Sequence, residues 1–192
     1  MTTYVPATAA VQDRLRYLID QFHPDLDTAG VTLVVLMAHA PTDAAGEPLR
    51  AALKHRGVRV AACVRVVNLK DRAKGVADAE ILLDGDRWPD WPRETQIAIL
   101  DHELTHLVAV AELKDEEGRL QTAELDACDR PKLRLRPHDW EFGWYDSVAE
   151  RHGDASLEVI QASALIAAKG QLYLPGFDAA TGEVRETKRG AA

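Results

Sequence analysis

The first third of the chain combines a helical and an extended pattern of apolar residues. Residues 7–22 place apolar side chains at helical spacing, which predicts a first amphipathic helix. This helix should end at His23, because the residue before a proline disfavours the helical conformation. Residues 31–38 then form a continuous apolar run rich in valine, which is typical of a strand buried on both faces.

The next segment predicts strands separated by polar connections. Residues 47–55 can form a short helix, whereas residues 58–67 alternate small apolar residues with arginine and cysteine, which indicates a half-buried strand. A charged turn is expected at residues 70–75 and one more short strand at residues 79–83. This last strand leads towards the central helix.

The central helix contains the sequence Asp101-His-Glu-Leu-Thr-His106, and Pro92 suits its first turn. An apolar stripe recurs at helical spacing on the side roughly opposite to His102 and His106; it consists of Ile97, Leu100, Leu104 and Leu107. We therefore expect a helix with one face towards the core and one face towards a functional site.

The segment after the central helix predicts a hairpin, an extended segment and two more helices. The hairpin would pair residues 111–114 with residues 119–124 across the turn Asp115-Glu-Glu-Gly118. Residues 131–137 alternate as an extended segment that delivers the chain to His138. The helices are expected at residues 140–151 and 155–169.

Length and composition predict one small domain. The chain has 192 residues, of which 46% are hydrophobic, and this is enough to bury a single core. Residues 178–192 contain almost nothing to bury, so we expect a domain over residues 1–177 and a flexible C-terminal tail over residues 178–192. The predicted class is α+β, with a mixed sheet packed on the central helix and additional C-terminal helices.

Charge and cysteine content restrict the partners and the compartment. The formal net charge of −8 opposes nonspecific attraction to nucleic acid or to anionic membranes. Cys63 and Cys128 form no Cys-x-x-Cys pair, so neither a disulfide framework nor a cysteine zinc ribbon is indicated. The N-terminus has no secretory pattern, and the apolar run at residues 31–38 is too short to span a membrane. We expect a cytoplasmic protein.

The H-E-x-x-H pattern of His102, Glu103 and His106 predicts a zinc site. Two histidines four residues apart lie on one helix face, so both imidazoles can reach one Zn²⁺ ion, and Glu103 lies beside them as a general base. A catalytic zinc site usually takes three protein ligands and keeps a fourth position for water. One more ligand must therefore come from another part of the chain.

The third ligand is predicted to be His138, because it lies at a junction between an extended segment and a helix, where a side chain can be held rigidly. If His138 is dispensable, Asp139 or Glu141 takes its place. Asp139 can instead orient a ligating imidazole or cap a helix. His39 and His152 are weaker candidates, since His152 at a helix end suits a surface position.

The motif Asp101-His-Glu-Leu-Thr-His106, followed by Arg136-Pro-His-Asp-Trp-Glu-Phe142, resembles the putative phage metallopeptidase family. The similarity is closest over residues 58–151 and looser before them, and the residues after Gly153 lie outside it. A weaker similarity exists to SprT/Spartan-like proteases. The cysteine zinc ribbon that often accompanies those proteins is absent from this sequence.

The resemblance implies a small zincin-like domain of viral or prophage source. The roles that it implies are zinc ligation by His102, His106 and His138 and acid-base catalysis by Glu103. Such a protein would act in the host cytoplasm on a protein or peptide substrate.

The leading functional hypothesis is zinc-dependent hydrolysis of peptide bonds. One alternative is a zinc-stabilised protein-interaction module without hydrolytic activity, which a closed fourth ligand would favour. Another is a SprT-like protease that acts on DNA-bound proteins, which would need a basic strip such as Lys132, Arg134 and Arg136. The acidic net charge makes nucleic acid the less expected partner.

Overall fold

The computed structural model describes residues 1–55, 57–138 and 145–169, together with two short strands at residues 177–178 and 183–184; side chains are described through residue 164. The α-helices of this part, in chain order, are α1 (Ala9–Phe22), α2 (Pro24–Thr28), α3 (Leu69–Arg72), α4 (Arg93–His106), α5 (Asp146–His152) and α6 (Leu157–Lys169). Short 3-10 helices lie at Trp88–Asp90 and Gly153–Ala155.

The strands of the same part are mostly short. They are β1 (Thr3–Pro6), β2 (Leu33–His39), β3 (Lys54–His55), β4 (Val58–Arg59), β5 (Ala62–Val66), β6 (Ala79–Asp84), β7 (Leu107–Ala109), β8 (Ala111–Lys114), β9 (Leu120–Ala123), β10 (Leu133–Leu135), β11 (Phe177–Asp178) and β12 (Glu183–Val184).

The main sheet is mixed and has the strand order β1-β2-β6-β5. The two central strands, β2 and β6, run parallel, and each edge strand pairs antiparallel with its neighbour. Strand β2 is apolar from Leu33 to Ala38, and β6 contains the apolar run Ile81–Leu83, as expected for central strands that are covered on both faces. Strand β5 forms one edge of the sheet, and it is the strand that packs against α4.

Helix α4 lies in the centre of the domain and is buried on most of its surface. Its Leu100 and Leu104 are fully buried in a core cluster that also includes Leu18 of α1 and Ile81 and Leu83 of β6. The α+β class, with a mixed sheet packed on the H-E-x-x-H helix and further helices after it, is therefore confirmed. This arrangement agrees with a small zincin-like domain.

Helix α4 has the expected core face and site face, but several of its polar residues are buried too. Asp101, Glu103 and Thr105 are buried as well as the leucines. The helix also ends at His106, so Leu107 of the predicted stripe already belongs to β7. Each buried charged group of α4 needs a hydrogen-bonding or ionic partner inside the domain, because an unpaired buried charge is costly.

Strand β7 continues directly from α4 and pairs antiparallel with β10. The backbone N–H of Arg136 donates to the carbonyl of His106 over 2.7 Å, just after β10 ends. This pairing returns the chain to the end of α4, where His138 follows. The predicted hairpin is confirmed as β8 and β9.

Three local predictions are wrong. Residues 47–55 form no helix and end instead in β3, which pairs with β4. The strand predicted over residues 58–67 is divided into β4 and β5. In the helix predicted over residues 140–151, Tyr145 has an extended backbone, with φ −117° and ψ 115°, so helix α5 begins at Asp146. Residues 140–144 of that prediction lie outside the described residues.

The boundary predicted at residue 177 stays a prediction. Across this boundary, Phe177–Asp178 pairs antiparallel with Glu183–Val184, and the other residues of the predicted tail lie outside the described part. None of the helices in the described part has both the length and the apolar character that crossing a membrane requires.

Candidate metal centre

Three imidazoles converge at the C-terminal end of α4. His102 and His106 come from this helix, and His138 comes from the segment that follows β10. One ligand atom from each ring lies within 4.8 Å of the other two, and the Nε2 atoms of His102 and His138 are 3.2 Å apart. Two nitrogens that bind one tetrahedral zinc ion at about 2.0–2.1 Å lie about 3.4 Å from each other. The donor set therefore fits a single metal ion.

The outer nitrogen of His106 is held by the backbone. Its Nδ1 lies 2.9 Å from the carbonyl oxygen of Arg136, to which the ring N–H donates, and 2.6 Å from the hydroxyl of Tyr145. The Tyr145 hydroxyl in turn donates to the same carbonyl over 3.1 Å. With Nδ1 used in this way, Nε2 is left for a metal ion.

Burial keeps His106 neutral. Desolvation lowers the pKa of His106 to about 4. The hydrogen bond to the Arg136 carbonyl opposes this decrease, and the charges of His102 and His138 add to it. A neutral imidazole is the form that binds metal, so His106 is ready for ligation at neutral pH.

The outer nitrogen of His102 is held by a carboxylate. Its Nδ1 lies 2.6 Å from Oε1 of Glu158, a buried residue of α6. Burial lowers the pKa of His102, but the hydrogen bond to Glu158 and the negative charges around it outweigh burial, so its pKa lies above the ordinary value in the metal-free protein. His102 and His106 are thus held by partners of different charge.

Glu103 lies beside the three imidazoles and is 5% exposed. Desolvation raises its pKa to about 7; the charge of His102 opposes this increase, the charge of Glu158 adds to it, and the backbone N–H of Val64 on β5 donates to the carboxylate. A carboxyl group with a pKa near 7 can both accept and release a proton at neutral pH. Helix α4 and strand β5 together therefore position a candidate general base.

This arrangement was compared with known proteins. A family model described as putative phage metallopeptidase matches residues 2–167 of the chain. The chain belongs to this family. The match also reaches beyond Gly153, which corrects the extent expected from the motifs and brings most of α6 into the phage metallopeptidase domain. Neither the curated proteins nor the solved structures contain a match.

The structure separates the candidates for a third ligand. It brings His138 to the two motif histidines, whereas His39 pairs with Asp86 over 2.9 Å and His152 pairs with Asp101 over 2.7 Å. The other two candidates, Asp139 and Glu141, lie outside the described residues. Among the described residues, His138 is therefore the candidate that shares a site with the motif.

Asp101 stabilises the back of α4. It is fully buried, and its carboxylate accepts hydrogen bonds from His23 over 2.6 Å, from His152 over 2.7 Å and from Arg151 over 2.9 and 3.0 Å. Burial raises the pKa of Asp101, but these hydrogen bonds outweigh it, so its pKa lies well below the ordinary value. Asp101 thereby links α4 to the end of α1 and to α5.

A cleft of about 830 Å³ passes over the site. Its walls come from β4 and β5, from α4 and from α6, and its lining includes His102, Glu103, His106 and His138. Three exposed apolar side chains, Val58, Leu135 and Ile160, also line it. The cleft is thus large enough and apolar enough for several residues of a peptide chain.

Sequence reasoning missed the partners that hold the imidazoles. Glu158 lies 56 residues from His102 and Tyr145 lies 39 residues from His106, and no local motif links either pair. From the sequence alone, Tyr145, Arg136 and His152 are candidate oxyanion donors, because each carries a side chain that can donate a hydrogen bond. The Tyr145 side chain is fully buried, and none of these three is part of the lining of the cleft among the described residues.

Proposed function

We propose that this protein is a zinc-dependent peptidase. His102, His106 and His138 would hold one Zn²⁺ ion, and Glu103 would act as the general base and acid. The observation that supports the proposal is the convergence of three imidazoles within 4.8 Å beside a buried carboxyl group whose pKa is about 7. Membership in the putative phage metallopeptidase family also supports a metal-dependent peptidase.

The choice of zinc follows from the ligands. Three neutral imidazoles suit zinc and other first-row transition metals, whereas magnesium and calcium prefer oxygen ligands. A site with three protein ligands leaves room for a water molecule. Zinc bound in this way supplies Lewis-acid activation of water and of a substrate carbonyl.

The proton transfers of the reaction would belong to Glu103. Its carboxylate would accept a proton from the attacking water and return it to the leaving amine. The pKa of about 7 suits both steps, and the Val64 N–H would hold the carboxylate in place through the cycle. The peptide or protein substrate would occupy the cleft along β5 and α6.

A DNA-linked substrate has less support in this chain. In the basic strip, Lys132 is 2.9 Å from Glu124, and the Arg136 guanidinium lies over the Tyr145 ring at 5.1 Å. These contacts tie two of the three cations to neighbours within the domain. Salt-dependent DNA binding would reverse this ranking.

The proposal is tested by metal analysis together with cleavage of a mixed peptide library. The wild type should contain about one zinc per chain and cleave peptides, and removing the zinc should abolish cleavage. Glu103→Gln should retain zinc and lose about a hundredfold or more in rate. The matched control is Glu94→Gln, an exposed glutamate in the first turn of the same helix. Undiminished cleavage by Glu103→Gln would remove Glu103 from the mechanism.

A further inference from the structure

Glu158 is a buried acid with one described hydrogen bond. The residue is 3% exposed, and its Oε1 atom lies 2.6 Å from Nδ1 of His102. Its Oε2 atom is also buried and has no hydrogen-bond partner among the described residues. A buried carboxylate is costly unless it is paired, so its contact with His102 is the interaction that must offset this cost.

This contact selects the form of His102 that can bind a metal ion. In the neutral imidazole, a carboxylate at Nδ1 holds the single ring proton on that nitrogen, so the lone pair of Nε2, which lies 3.2 Å from Nε2 of His138, is directed to the metal site. His106 has the backbone carbonyl of Arg136 in the corresponding place. Of the two motif histidines, only His102 therefore has an anionic partner at its outer nitrogen in the described part of the chain.

Few apolar side chains of α6 are buried within its described part, residues 157–164. Leu157 packs against the core, but Ile160 is 41% exposed and Gln161 and Ala164 are exposed too. The first turn is capped by Ser156, whose Oγ accepts from the N–H of Val159 over 3.2 Å. Among these described side chains, the Glu158–His102 pair is therefore a direct polar link between α6 and α4.

We propose that Glu158 is a positioning residue for the metal centre and that its contact with His102 couples the docking of α6 to metal binding. The inference rests on the zinc site of the proposed function, though not on peptidase activity. A metal ion on Nε2 makes the N–H at Nδ1 a stronger donor, so metal binding strengthens the bond to Glu158. By linkage, the bond strengthens metal binding by the same factor.

The coupling has consequences for the substrate site as well. Leu157, Ile160 and Gln161 of α6 line the cleft beside His102. Metal binding would therefore order one wall of the cleft when it completes the metal centre. In the metal-free protein, α6 would open more often by local unfolding.

The first test measures zinc affinity by competition with a chelator. Glu158→Gln keeps the size of the side chain and an oxygen that can accept from Nδ1, but it removes the charge. We expect zinc to bind about 10–100-fold more weakly. The matched control is Asp154→Asn, which removes an exposed acid from the lining of the same cleft and should leave the affinity within about twofold of the wild type.

The second test measures hydrogen exchange with and without zinc. In the wild type, zinc should slow exchange in residues 157–164 at least tenfold, and the effect should be much smaller in Glu158→Gln. Helix α1 serves as the internal reference. Because the wild type alone already reports the coupling, this test holds even if Glu158→Gln does not fold.

The outcomes separate this inference from the proposed function. Equal zinc affinity of Glu158→Gln and wild type, or equal weakening by Asp154→Asn, would overturn the role of Glu158 and leave the zinc peptidase intact. Unchanged exchange of α6 in the wild type would overturn the coupling. A wild type that binds no zinc would overturn both proposals.

Discussion

Replacing Glu103 by glutamine should stabilise the metal-free protein at alkaline pH. The pKa of Glu103 rises from 4.5 to about 7 when the chain folds, because the carboxylate loses its hydration. One pKa unit corresponds to about 1.4 kcal/mol, so ionising this buried group destabilises the fold by about 3 kcal/mol. Glutamine has nearly the same shape and no charge, and the Val64 N–H can donate to its amide oxygen.

The pH range of the effect follows from the sign of the shift. The folded protein binds this proton more tightly than the unfolded chain, so the stabilisation is fully present below pH 4.5 and is lost as the pH rises through about 7. The free energy of unfolding of the two proteins should therefore be similar at pH 4.5. At pH 8, Glu103→Gln should be more stable than the wild type by up to about 3 kcal/mol.

The assay is urea unfolding at pH 4.5, 6, 7 and 8 in the presence of a chelator, with the free energies compared between variants at each pH. Comparing variants removes the contributions of other titrating groups. Glu94→Gln controls for the substitution itself, since it changes an exposed glutamate of the same helix. A wild type that is as stable as Glu103→Gln at pH 8 would refute the reasoning, because Glu103 would then ionise without cost.

The remaining predictions concern the ligands and Asp101. His106→Ala should lose zinc, measured by metal analysis after purification; full occupancy would count against the site. His138→Ala should lower zinc occupancy, whereas His152→Ala and His39→Ala should not, and the opposite order would move the third ligand. Asp101→Asn should destabilise the fold by about 1–3 kcal/mol at pH 7 in thermal or urea unfolding, because His23, Arg151 and His152 lose the charged acceptor that they share. A change below about 1 kcal/mol would contradict this.

The elements of the core could be predicted from the sequence because their signals are local. The apolar runs of β2 and β6 and the helical spacing of α1 each lie within a single segment. The predicted bounds of these elements agree with the observed ones to within about two residues. The motif is local as well, since His102, Glu103 and His106 need only the geometry of one helix. His138 was found from its position after an extended segment, which β10 provides.

What the sequence could not predict depends on contacts between distant residues. The helical spacing of residues 155–169 predicts that Leu157, Ile160, Ala164 and Ala167 face inwards, whereas Ile160 and Ala164 are exposed and Glu158 is buried. Within residues 157–164, the pairing of Glu158 with His102 turns the Glu158 side of α6 towards the domain. Buried acids are invisible to patterns that assign every charge to solvent.

Two short strands, β1 and β3, also depend on pairing that the local sequence does not predict. Strand β1 is exposed at each of its four positions, so it shows no alternation, and only pairing with β2 makes it a strand. Residues 47–55 have the composition of a short helix, but the last two of them pair with β4. Tertiary pairing overrides weak local preference in both segments.

The zinc coordination of the purified wild type tests the account most directly. Zinc-edge X-ray absorption, together with anomalous diffraction from crystals, gives both the position of the ion and its ligands. We predict one zinc ion at about 2.0–2.1 Å from three imidazole nitrogens, those of His102, His106 and His138, with at least one oxygen of water completing the shell. A zinc ion closed by four protein ligands, or bound away from these histidines, would contradict the account.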